Sequence, residues 1–544
     1  MRIEVLDGFD EIGGNKIRVV NKRGDAFLLD FGLNFSKWGE FFEEFVNPRT
    51  GKIVHDLLKL KLIPRIDVYR RDLSEEKFED GVRYRFLFLS HGHADHVGFV
   101  GLVREDIPFL ATSETLAILL VASNVGKHDI KSHLVGKRRK KAGEEERKNG
   151  IRGDLFVDAK ERLRRSICTL GTKVSSSEKN ILPLFGGADG GWCEFGKWFE
   201  ERKRDFEVKN LKDLWEDEVL VEHVYHSVIG AAGIAVRVDG YWVAYTGDFR
   251  MGPENKEEEE YWLKVLGEKR LELSKRSTRF FDAIKDRRPL VLIVEGTRVT
   301  RGENTNVTEK DVYENSMKVF RNSKKLIIVD FPVRHLERLF TFLRVCMENG
   351  RILVLMPKDY AYLRGVETLE PLWRLSEEER EYIRVYHPGK LEYTGLERDA
   401  LLEAEENGIL IGPEEINERP ERFAISAGYF DFPHILDLDE NVLNGSAYIH
   451  STSEAYTEEQ EIDTRRLIRW LKYFNIHPYG LKVEGDHVIF TKDFHASGHV
   501  SPTELENILN NVRPDYILPV HTQDRFWFVQ RWGDTVLKER VVVL

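Results

Sequence analysis

The 544-residue sequence is poor in cysteine and lacks long apolar runs. Its three cysteines, Cys168, Cys193 and Cys346, are scattered and odd in number. They therefore predict neither a disulfide framework nor a cysteine-based zinc site, and they indicate a reducing cytoplasmic compartment. No apolar stretch approaches the roughly 18 residues that span a bilayer, and the first five residues are typical of a strand rather than of a signal peptide. The net charge of −11 argues against non-specific binding of nucleic acid over the whole surface but permits a local basic channel.

The composition predicts a globular protein, the length predicts two domains, and the order of apolar and amphipathic segments predicts the α/β class. Hydrophobic residues make up 41% of the chain and charged residues 32%. A chain of this length exceeds what one compact core accommodates. Short apolar runs alternate with amphipathic segments, most clearly between residues 308 and 355, and this alternation is typical of α/β units.

The most informative stretch is Ser90 to Gly98, which follows the apolar strand-like run Phe86-Leu87-Phe88-Leu89. Four metal-capable side chains lie within six residues: His91, His93, Asp95 and His96. One divalent ion rarely needs four ligands from so short a loop, whereas two ions about 3.5–4 Å apart do. The alternative is a surface loop that is polar by chance.

Other apolar runs also end in polar side chains. These side chains are Asp30, His226, Asp248, Glu295 and His521. The Thr246-Gly247 pair before Asp248 permits a carboxylate to approach two cations closely. Asp30 beside Gly32 is also explained by simple turn chemistry, and a lone histidine at a strand end is often structural.

The loop His495 to His499 precedes a helix that we expect to begin near Pro502. It offers backbone N–H groups, a hydroxyl and two imidazoles to an anion. An ordinary helix cap at Ser501 and Pro502 accounts for part of the same pattern, and both interpretations hold together.

These motifs resemble those of a known superfamily. His-x-His-x-Asp-His, from His91 to His96, resembles the signature of the metallo-β-lactamase fold. Glu295-Gly296-Thr297, the loop from His495 to His499, and His521 resemble motifs A, B and C of its β-CASP branch of nucleic-acid hydrolases. The Ser-Gly-His sequence and the 22-residue spacing from His499 to His521 are most like ribonuclease J without its C-terminal domain.

The resemblance is uneven along the chain. Phe331 to His335 departs from the Phe-Ala-Ser-Asn of that family, and Ser426 to Phe430 lacks its Gln-Gly-Glu. The insertion between about residues 122 and 218 is longer than we expect.

The resemblance implies a metallo-β-lactamase αββα sandwich with an inserted α/β β-CASP domain. We expect the first part of the sandwich at residues 1–304, the inserted domain at 305–440 and the second part at 441–544. The chain is then expected to re-enter the first domain at Ser446 to His450.

The resemblance also implies two Zn²⁺ ions, with Mn²⁺ as an alternative. His91, His93 and His226 would hold the first ion, Asp95, His96 and His521 the second, and Asp248 would bridge them. Catalytic roles fall to Asp95, Asp248, His499 and Glu295, with Asp30 orienting the ligands from behind. The expected substrate contacts are Ser227, His495, Ser497 and Gly498.

The function implied is that of a zinc-dependent nuclease acting on single-stranded RNA, a 5′→3′ exoribonuclease that prefers a 5′ monophosphate. The alternatives are a DNA nuclease of the same branch, a metal-dependent hydrolase of small esters or lactones, and a catalytically silent nucleic-acid binder. A homodimer is left open.

Basic residues invite two further interpretations. The run Lys137 to Lys141, followed by Glu144 to Lys148, favours a solvated helix with i,i+4 ion pairs over a basic arm on a phosphate backbone. Gly186 to Gly191 is expected to be a flexible loop. Near the metals we expect Arg298, Arg301 or Arg334, because these residues follow strand ends.

Overall fold

Three large β-sheets and their connecting helices form a mixed α/β protein, shown here by a computed structural model. The structure describes residues 1–125, 134, 137–141, 156–162, 164–170 and 206–544, apart from residues 44, 75, 77, 254, 269, 270, 273, 274, 301–306, 370–372, 391, 394, 485 and 486. None of the helices within these ranges is both long enough and apolar enough to cross a membrane.

The described residues before 209 contain nine strands and four helices. The strands are β1 (Arg2–Asp7), β2 (Lys16–Val20), β3 (Asp25–Leu29), β4 (Arg83–Phe88), β5 (Phe109–Thr112), β6 (Lys137–Lys141), β7 (Phe156–Arg162), β8 (Arg165–Leu170) and β9 (Phe206–Val208). The helices are α1 (Phe35–Gly39), α2 (Ile53–Lys59), α3 (Ala94–Val97) and α4 (Ser113–Ala122), with a 3₁₀ turn at Val100–Leu102.

The described residues from 209 to 300 contribute four strands of a second sheet and three helices whose bounds are defined. The strands are β10 (Val219–His223), β11 (Ala232–Val238), β12 (Tyr241–Tyr245) and β13 (Leu290–Glu295). The helices are α5 (Leu211–Leu214), α6 (Lys256–Leu266) and α7 (Arg276–Ile284).

Residues 307–484 alternate strands with helices. The strands are β14 (Ile327–Asp330), β15 (Ile352–Leu355), β16 (Ile383–Tyr386), β17 (Leu410–Ile411), β18 (Phe423–Ser426), β19 (Ala447–His450), β20 (His477–Tyr479) and β21 (Leu481–Glu484). The helices are α8 (Glu309–Asn322), α9 (Leu336–Glu348), α10 (Pro357–Leu369), α11 (Glu377–Glu381), α12 (Gly395–Glu406), α13 (Pro413–Glu418), α14 (Glu440–Leu443) and α15 (Glu458–Tyr473), with 3₁₀ turns at Pro420–Arg422 and Tyr429–Ile435.

After a strand that pairs antiparallel with β21, the last segment returns to the first two sheets. It comprises β22 (His487–Phe490), a 3₁₀ turn at Lys492–Phe494, α16 (Pro502–Val512), β23 (Tyr516–Val520), α17 (Phe526–Trp532), a 3₁₀ turn at Gly533–Thr535 and β24 (Val541–Val543).

The first two sheets pack face to face. The eight-stranded sheet has the order β24-β1-β2-β3-β4-β5-β8-β9, and the five-stranded sheet the order β10-β11-β12-β13-β23. One apolar core joins them, with Phe27 and Phe86 on one side and Ile234 and Ile293 on the other. Further cores on the outer faces pack helices against each sheet, for example α7 and α16 against the five-stranded sheet. The layers are therefore helix, sheet, sheet and helix.

The third sheet is a separate, wholly parallel unit with the order β17-β16-β15-β18-β14-β19-β20. The expected return to the first domain at Ser446 to His450 is wrong, because β19 pairs with β14 and β20 inside this sheet. The boundary expected at residue 440 therefore lies too early. A fully buried strand followed by α15 and a further strand continues a parallel βαβ pattern, which a short apolar run alone does not reveal.

The basic run Lys137 to Lys141 is a strand rather than the expected helix. Its backbone pairs antiparallel with β7. The residues expected to complete the helix, Glu144 to Lys148, lie outside the described residues, as does the Gly186 to Gly191 loop.

Candidate metal centre

The candidate site lies where the carboxyl ends of parallel strands from the two packed sheets meet. Strands β3 and β4 are parallel neighbours in one sheet, and β12, β13 and β23 are parallel neighbours in the other. Because the carboxyl ends of parallel strands share one edge, the polar residues that follow them converge. Three groups of potential ligands result: His91, His93 and His226; Asp95, His96, Asp248 and His521; and Asp248, Glu295 and His499.

The first group consists of three imidazole nitrogens that face one another. Nδ1 of His93 lies 3.1 Å from Nε2 of His91 and 3.2 Å from Nε2 of His226. The opposite nitrogens of two rings meet oxygen atoms: His91 Nδ1 is 3.0 Å from the Ser90 hydroxyl, and His226 Nδ1 donates to the Gly498 carbonyl at 2.6 Å. These outer contacts fix how the rings are turned.

The proton positions leave nitrogen lone pairs facing the centre of this group. The Ser90 hydroxyl donates to Asp30, so its oxygen accepts the Nδ1 proton of His91. The Nε2 atoms of His91 and His226 then carry no proton. Burial lowers the pKa of His93 to about 4. Burial is also the main reason why the pKa values of His91 and His226 lie well below the ordinary value. Neutral nitrogens held this way fit a zinc ion, whose tetrahedral ligands at 2.0–2.1 Å lie roughly 3.3 Å apart.

The second group combines two carboxylates with two imidazoles. His96 Nε2 lies 3.1 Å from Asp248 Oδ2, and His521 Nε2 lies 3.2 Å from Asp95 Oδ2. Asp248 Oδ2 also lies 3.7 Å from Nε2 of His91, so this carboxylate stands between the two groups. His96 Nε2 and Asp248 Oδ1 are buried and have no hydrogen-bond partner among the described residues. Buried polar atoms in this condition are explained by a cation, and the donor set fits two ions.

Charge coupling within the second group is strong. In spite of burial, Asp248, Asp30 and Asp95 raise the pKa of His96 well above its ordinary value. Burial likewise opposes ionisation of Asp248, but His521 and His96 hold the pKa of that carboxyl well below its ordinary range. The carboxylates are therefore ionised and able to bind cations.

Asp30 supports the site from behind. It is fully buried, and its carboxylate accepts hydrogen bonds at 2.7 Å from Nδ1 of His96, from the backbone and hydroxyl of Ser90, and from the Tyr245 hydroxyl. Asp30 has a left-handed backbone with φ 59°, and so does His521 with φ 51°. Such conformations cost about 1–3 kcal/mol each and persist where surrounding contacts hold them, often at functional sites.

His499 and His521 are linked through the residues after β13. His499 Nδ1 donates to Glu295 Oε2 at 2.8 Å. The Thr297 hydroxyl donates to the same carboxylate, so its oxygen accepts the Nδ1 proton of His521 at 2.9 Å. Glu295 also accepts from the backbone N–H of Phe249, next to Asp248, at 2.8 Å. One carboxylate therefore positions residues of three different loops.

The loop His495 to His499 packs tightly against the His226 loop. A Cβ on Gly498 would lie 2.5 Å from the Ser227 hydroxyl and 2.9 Å from the His226 ring. The Ser497 hydroxyl accepts from the His499 backbone N–H at 3.3 Å. His495 and Ser497 line a small cavity on the side facing the third sheet, and Nδ1 of His495 is buried with no hydrogen-bond partner in the part of the chain that the structure describes.

Two of the expected arginines lie beside the site. Arg334, which follows β14 of the third sheet, donates to the carbonyl of Gly92 between two of the histidines at 2.7 Å. Arg298 donates to the carbonyl of His499 at 3.2 Å. Arg301 lies outside the described residues.

A buried ionic network, which we call the Arg250 network, joins the site to the third-sheet unit. Arg250 donates to Glu309 at 3.0 Å, to Glu337 at 2.9 Å and to the carbonyl of Ser497 at 3.3 Å. Arg338 donates to both oxygens of Glu309 at 2.9 Å. In spite of burial, Arg338 and Arg250 hold the pKa of Glu309 below its ordinary range, whereas burial raises that of Glu337 to about 7.

Sequence reasoning missed several of these residues. Ser90 and Thr297 stand beside recognised motifs, and a hydroxyl next to a ligand is a signal that would have found them. The Arg250 network carried no such signal, because its members are remote in sequence and meet only through packing.

Comparison with known proteins supports the fold and leaves the function open. No family model matches the chain, and no curated protein does. Solved structures do match it. One is the crystal structure of a protein of unknown function from Enterococcus faecalis V583, with a TM-score of 0.59 and 19% identity, covering 100% of this chain and 99% of that chain. Similarity at this level of identity is evidence for a shared fold alone.

Proposed function

We propose that the protein is a metal-dependent phosphodiesterase of the metallo-β-lactamase fold, with the third-sheet unit as a β-CASP-like domain. The observation that carries this proposal is the convergence of His91, His93 and His226. One nitrogen of each ring faces a common point, and the Nε2 atoms of His91 and His226 carry no proton there. The helix, sheet, sheet and helix layers and the separate parallel unit support the proposed fold.

Two divalent ions, zinc or manganese, would be held by the seven residues named from the sequence. The first would be held by His91, His93 and His226, the second by Asp95, His96 and His521, with Asp248 between them. When bound, such ions supply Lewis-acid polarisation of a phosphoryl group and activation of water.

The remaining residues supply orientation and a proton. Because His499 Nδ1 is bound to Glu295, its Nε2 is the atom available to protonate a leaving oxygen. In spite of burial, Glu295 and Asp248 raise the pKa of His499, which favours the protonated ring. Glu295 therefore orients this acid and stabilises its charge.

We propose single-stranded RNA as the substrate. The third-sheet unit adjoins the site through Arg334 and the Arg250 network, so a long substrate would meet both units. Arg298 beside His499 and the loop from His495 to His499 offer contacts to backbone phosphate. A hydrolase of small esters or lactones needs no such second unit, and a DNA nuclease of the same branch stays the alternative.

We further propose 5′→3′ exonucleolytic action that starts from a 5′ monophosphate. The backbone N–H groups, hydroxyl and imidazoles that the loop from His495 to His499 would offer to a 5′ phosphate support it. The loop from Ser426 to Phe430, in contrast, lines a cavity rich in carboxylates. The distinguishing experiment follows mononucleotide release from 5′-hydroxyl, monophosphate and triphosphate RNAs. Equal rates on all three, or products that begin internally, would refute exonucleolytic action and leave the metal chemistry untouched.

The experiment that tests the proposed function uses end-labelled RNA and DNA oligomers, with and without a chelator. We expect RNA to be cleaved, the chelator to stop cleavage, and added Zn²⁺ or Mn²⁺ to restore it. His499→Gln is the matched variant, since it retains a hydrogen-bonding side chain but cannot donate a proton as imidazolium does. Cleavage that persists in the chelator, or no cleavage of either nucleic acid by metal-loaded protein, would contradict the proposal.

A further inference from the structure

A cavity in the third-sheet unit has none of the seven proposed metal ligands in its lining, and it shares His450, Thr452, Glu454 and Phe490 with the small cavity beside the His495 to His499 loop. Its volume is about 310 Å³, and the strand-end residues Asp330, Ser426 and His450 of β14, β18 and β19 line it. Ligands of parallel α/β sheets bind outside the carboxyl ends of the strands. The volume is that of a small-molecule site.

Carboxylates dominate the lining of this cavity. The acidic residues are Asp330, Asp359, Asp431, Glu454 and Asp463, and the one lysine among the lining residues is Lys358. Several acids have structural partners: Ser426 donates to Asp359 at 2.6 Å, the Gly428 backbone to Asp431 at 3.1 Å, and Arg466 to Asp463 at 3.2 Å, while Nζ of Lys358 lies 3.9 Å from Asp431. A carboxylate accepts about four hydrogen bonds, so acceptor capacity is left over.

His450 provides an independent sign of a ligand. Its side chain lines the cavity and is 9% exposed, and its Nε2 lies 3.4 Å from the Thr452 hydroxyl, yet its Nδ1 has no hydrogen-bond partner among the described residues. The nearest carboxylate oxygen, Oδ2 of Asp330, is 3.4 Å away and accepts instead from the Tyr448 hydroxyl. A polar atom buried in a cavity wall without a partner is explained by a group that enters the cavity.

The electrostatics of the cavity favour a positively charged occupant. Burial, with the negative charges of Asp431 and Asp330, raises the pKa of Asp359 to about 7 against the opposing effect of Lys358. The aromatic residues Phe331, Tyr429, Phe430 and Phe490 also line the cavity, and Phe430 is 74% exposed. Aromatic rings beside carboxylates are suited to ammonium groups.

We propose that this cavity binds a small organic cation with amino groups, of the diamine class. An anion would meet several negative charges. A metal ion is disfavoured, because the potential ligand groups among the described residues all lie at the other site. The inference goes beyond the proposed nuclease function and does not depend on it.

Isothermal titration with putrescine tests the proposal, with 1,4-butanediol as an uncharged probe of the same chain length. We expect saturable binding of one putrescine per chain and none of butanediol. Asp431→Asn and, separately, Asp463→Asn should weaken putrescine binding about tenfold each, since each removes a charged acceptor. Glu418→Gln, an exposed acid of α13 outside the cavity, is the matched control and should bind as the parent does.

Thermal unfolding is measured for each variant to check that it is folded. Two variants on different elements are used, so that a local defect in one does not decide the result. The proposal is overturned if the parent shows no saturable putrescine binding, if butanediol binds equally well, or if Glu418→Gln weakens binding as much as Asp431→Asn does.

Discussion

At the scale of single residues, the site depends on which nitrogen of each histidine carries its proton. Ser90, Gly498, Asp30 and Thr297 supply the oxygen atoms that receive the Nδ1 protons of four histidines: His91, His226, His96 and His521, respectively. Each partner makes Nδ1 the outer nitrogen of its histidine, so that Nε2 is the nitrogen that faces the cation site. The geometry of the outer partners therefore decides whether the inner nitrogens are ligands.

Thr297→Val should weaken the second metal position. Valine keeps the shape of threonine but cannot accept the Nδ1 proton of His521, so that ring loses its orientation. We expect metal affinity or RNA hydrolysis to fall about 10- to 100-fold, the usual effect of losing such a partner. Thr300→Val, exposed in the same loop, is the control. Equal metal affinity in the two variants would show that Thr297 has no orienting role.

At the scale of elements, the loop from His495 to His499 is placed by close contact with the His226 loop. Gly498→Ala would bring a methyl group 2.5 Å from the Ser227 hydroxyl, so the loop would move and its carbonyl would leave His226. We expect RNA hydrolysis to fall about 100-fold, as for other small misplacements of catalytic groups. Gly51→Ala, which has open space around it, should behave as the parent. Hydrolysis at the parental rate by Gly498→Ala would mean that the loop tolerates movement.

The Arg250 network should matter for stability as well as for placement. Glu309→Gln leaves Arg250 and Arg338 buried with their shared carboxylate neutralised. Breaking a buried ion pair in this way costs roughly 3–5 kcal/mol, so the melting temperature should fall by several degrees. Glu314→Gln changes an exposed acid of the same helix and should have little effect. If Glu309→Gln and Glu314→Gln have the same melting temperature, the network does not hold the units in place.

The parallel unit should show a pH-dependent stability of its own. The pKa of Asp359 is about 7 in the folded protein and 3.8 ordinarily, so the folded state binds more protons between these values. Its stability therefore falls as pH rises from about 4 to 7, and Asp359→Asn should remove that loss. We expect the variant to melt above the parent at pH 8 by more than at pH 5, while Asp437→Asn, an exposed control, shows no such trend. A difference in melting temperature between Asp359→Asn and the parent that does not change with pH would contradict the raised pKa of Asp359.

At the scale of the whole molecule, sequence patterns predicted what local apolar runs determine. The strands before Asp30, His91, Asp248, Glu295 and His521 appear close to the expected positions, because each is a short apolar run that ends in a polar residue. The α/β class followed from the same alternation.

Two expectations failed because pairing partners are not visible in a single run. β19 is an apolar run of the kind found in either domain, and only its pairing with β14 assigns it to the third sheet. Lys137 to Lys141 has the charge pattern of a solvated helix, yet backbone pairing with β7 makes it a strand. The Arg250 network lies beyond sequence reasoning for the same reason.

Metal content measured together with activity tests the proposed two-metal centre most directly. Elemental analysis of purified, RNA-hydrolysing protein should find two divalent ions per chain. Asp248→Asn should bind fewer and lose most activity, because two cations would share the site without the charge between them. One or no ion per chain in folded, active protein would contradict the two-metal centre, and parental metal content and activity in Asp248→Asn would contradict the bridging carboxylate.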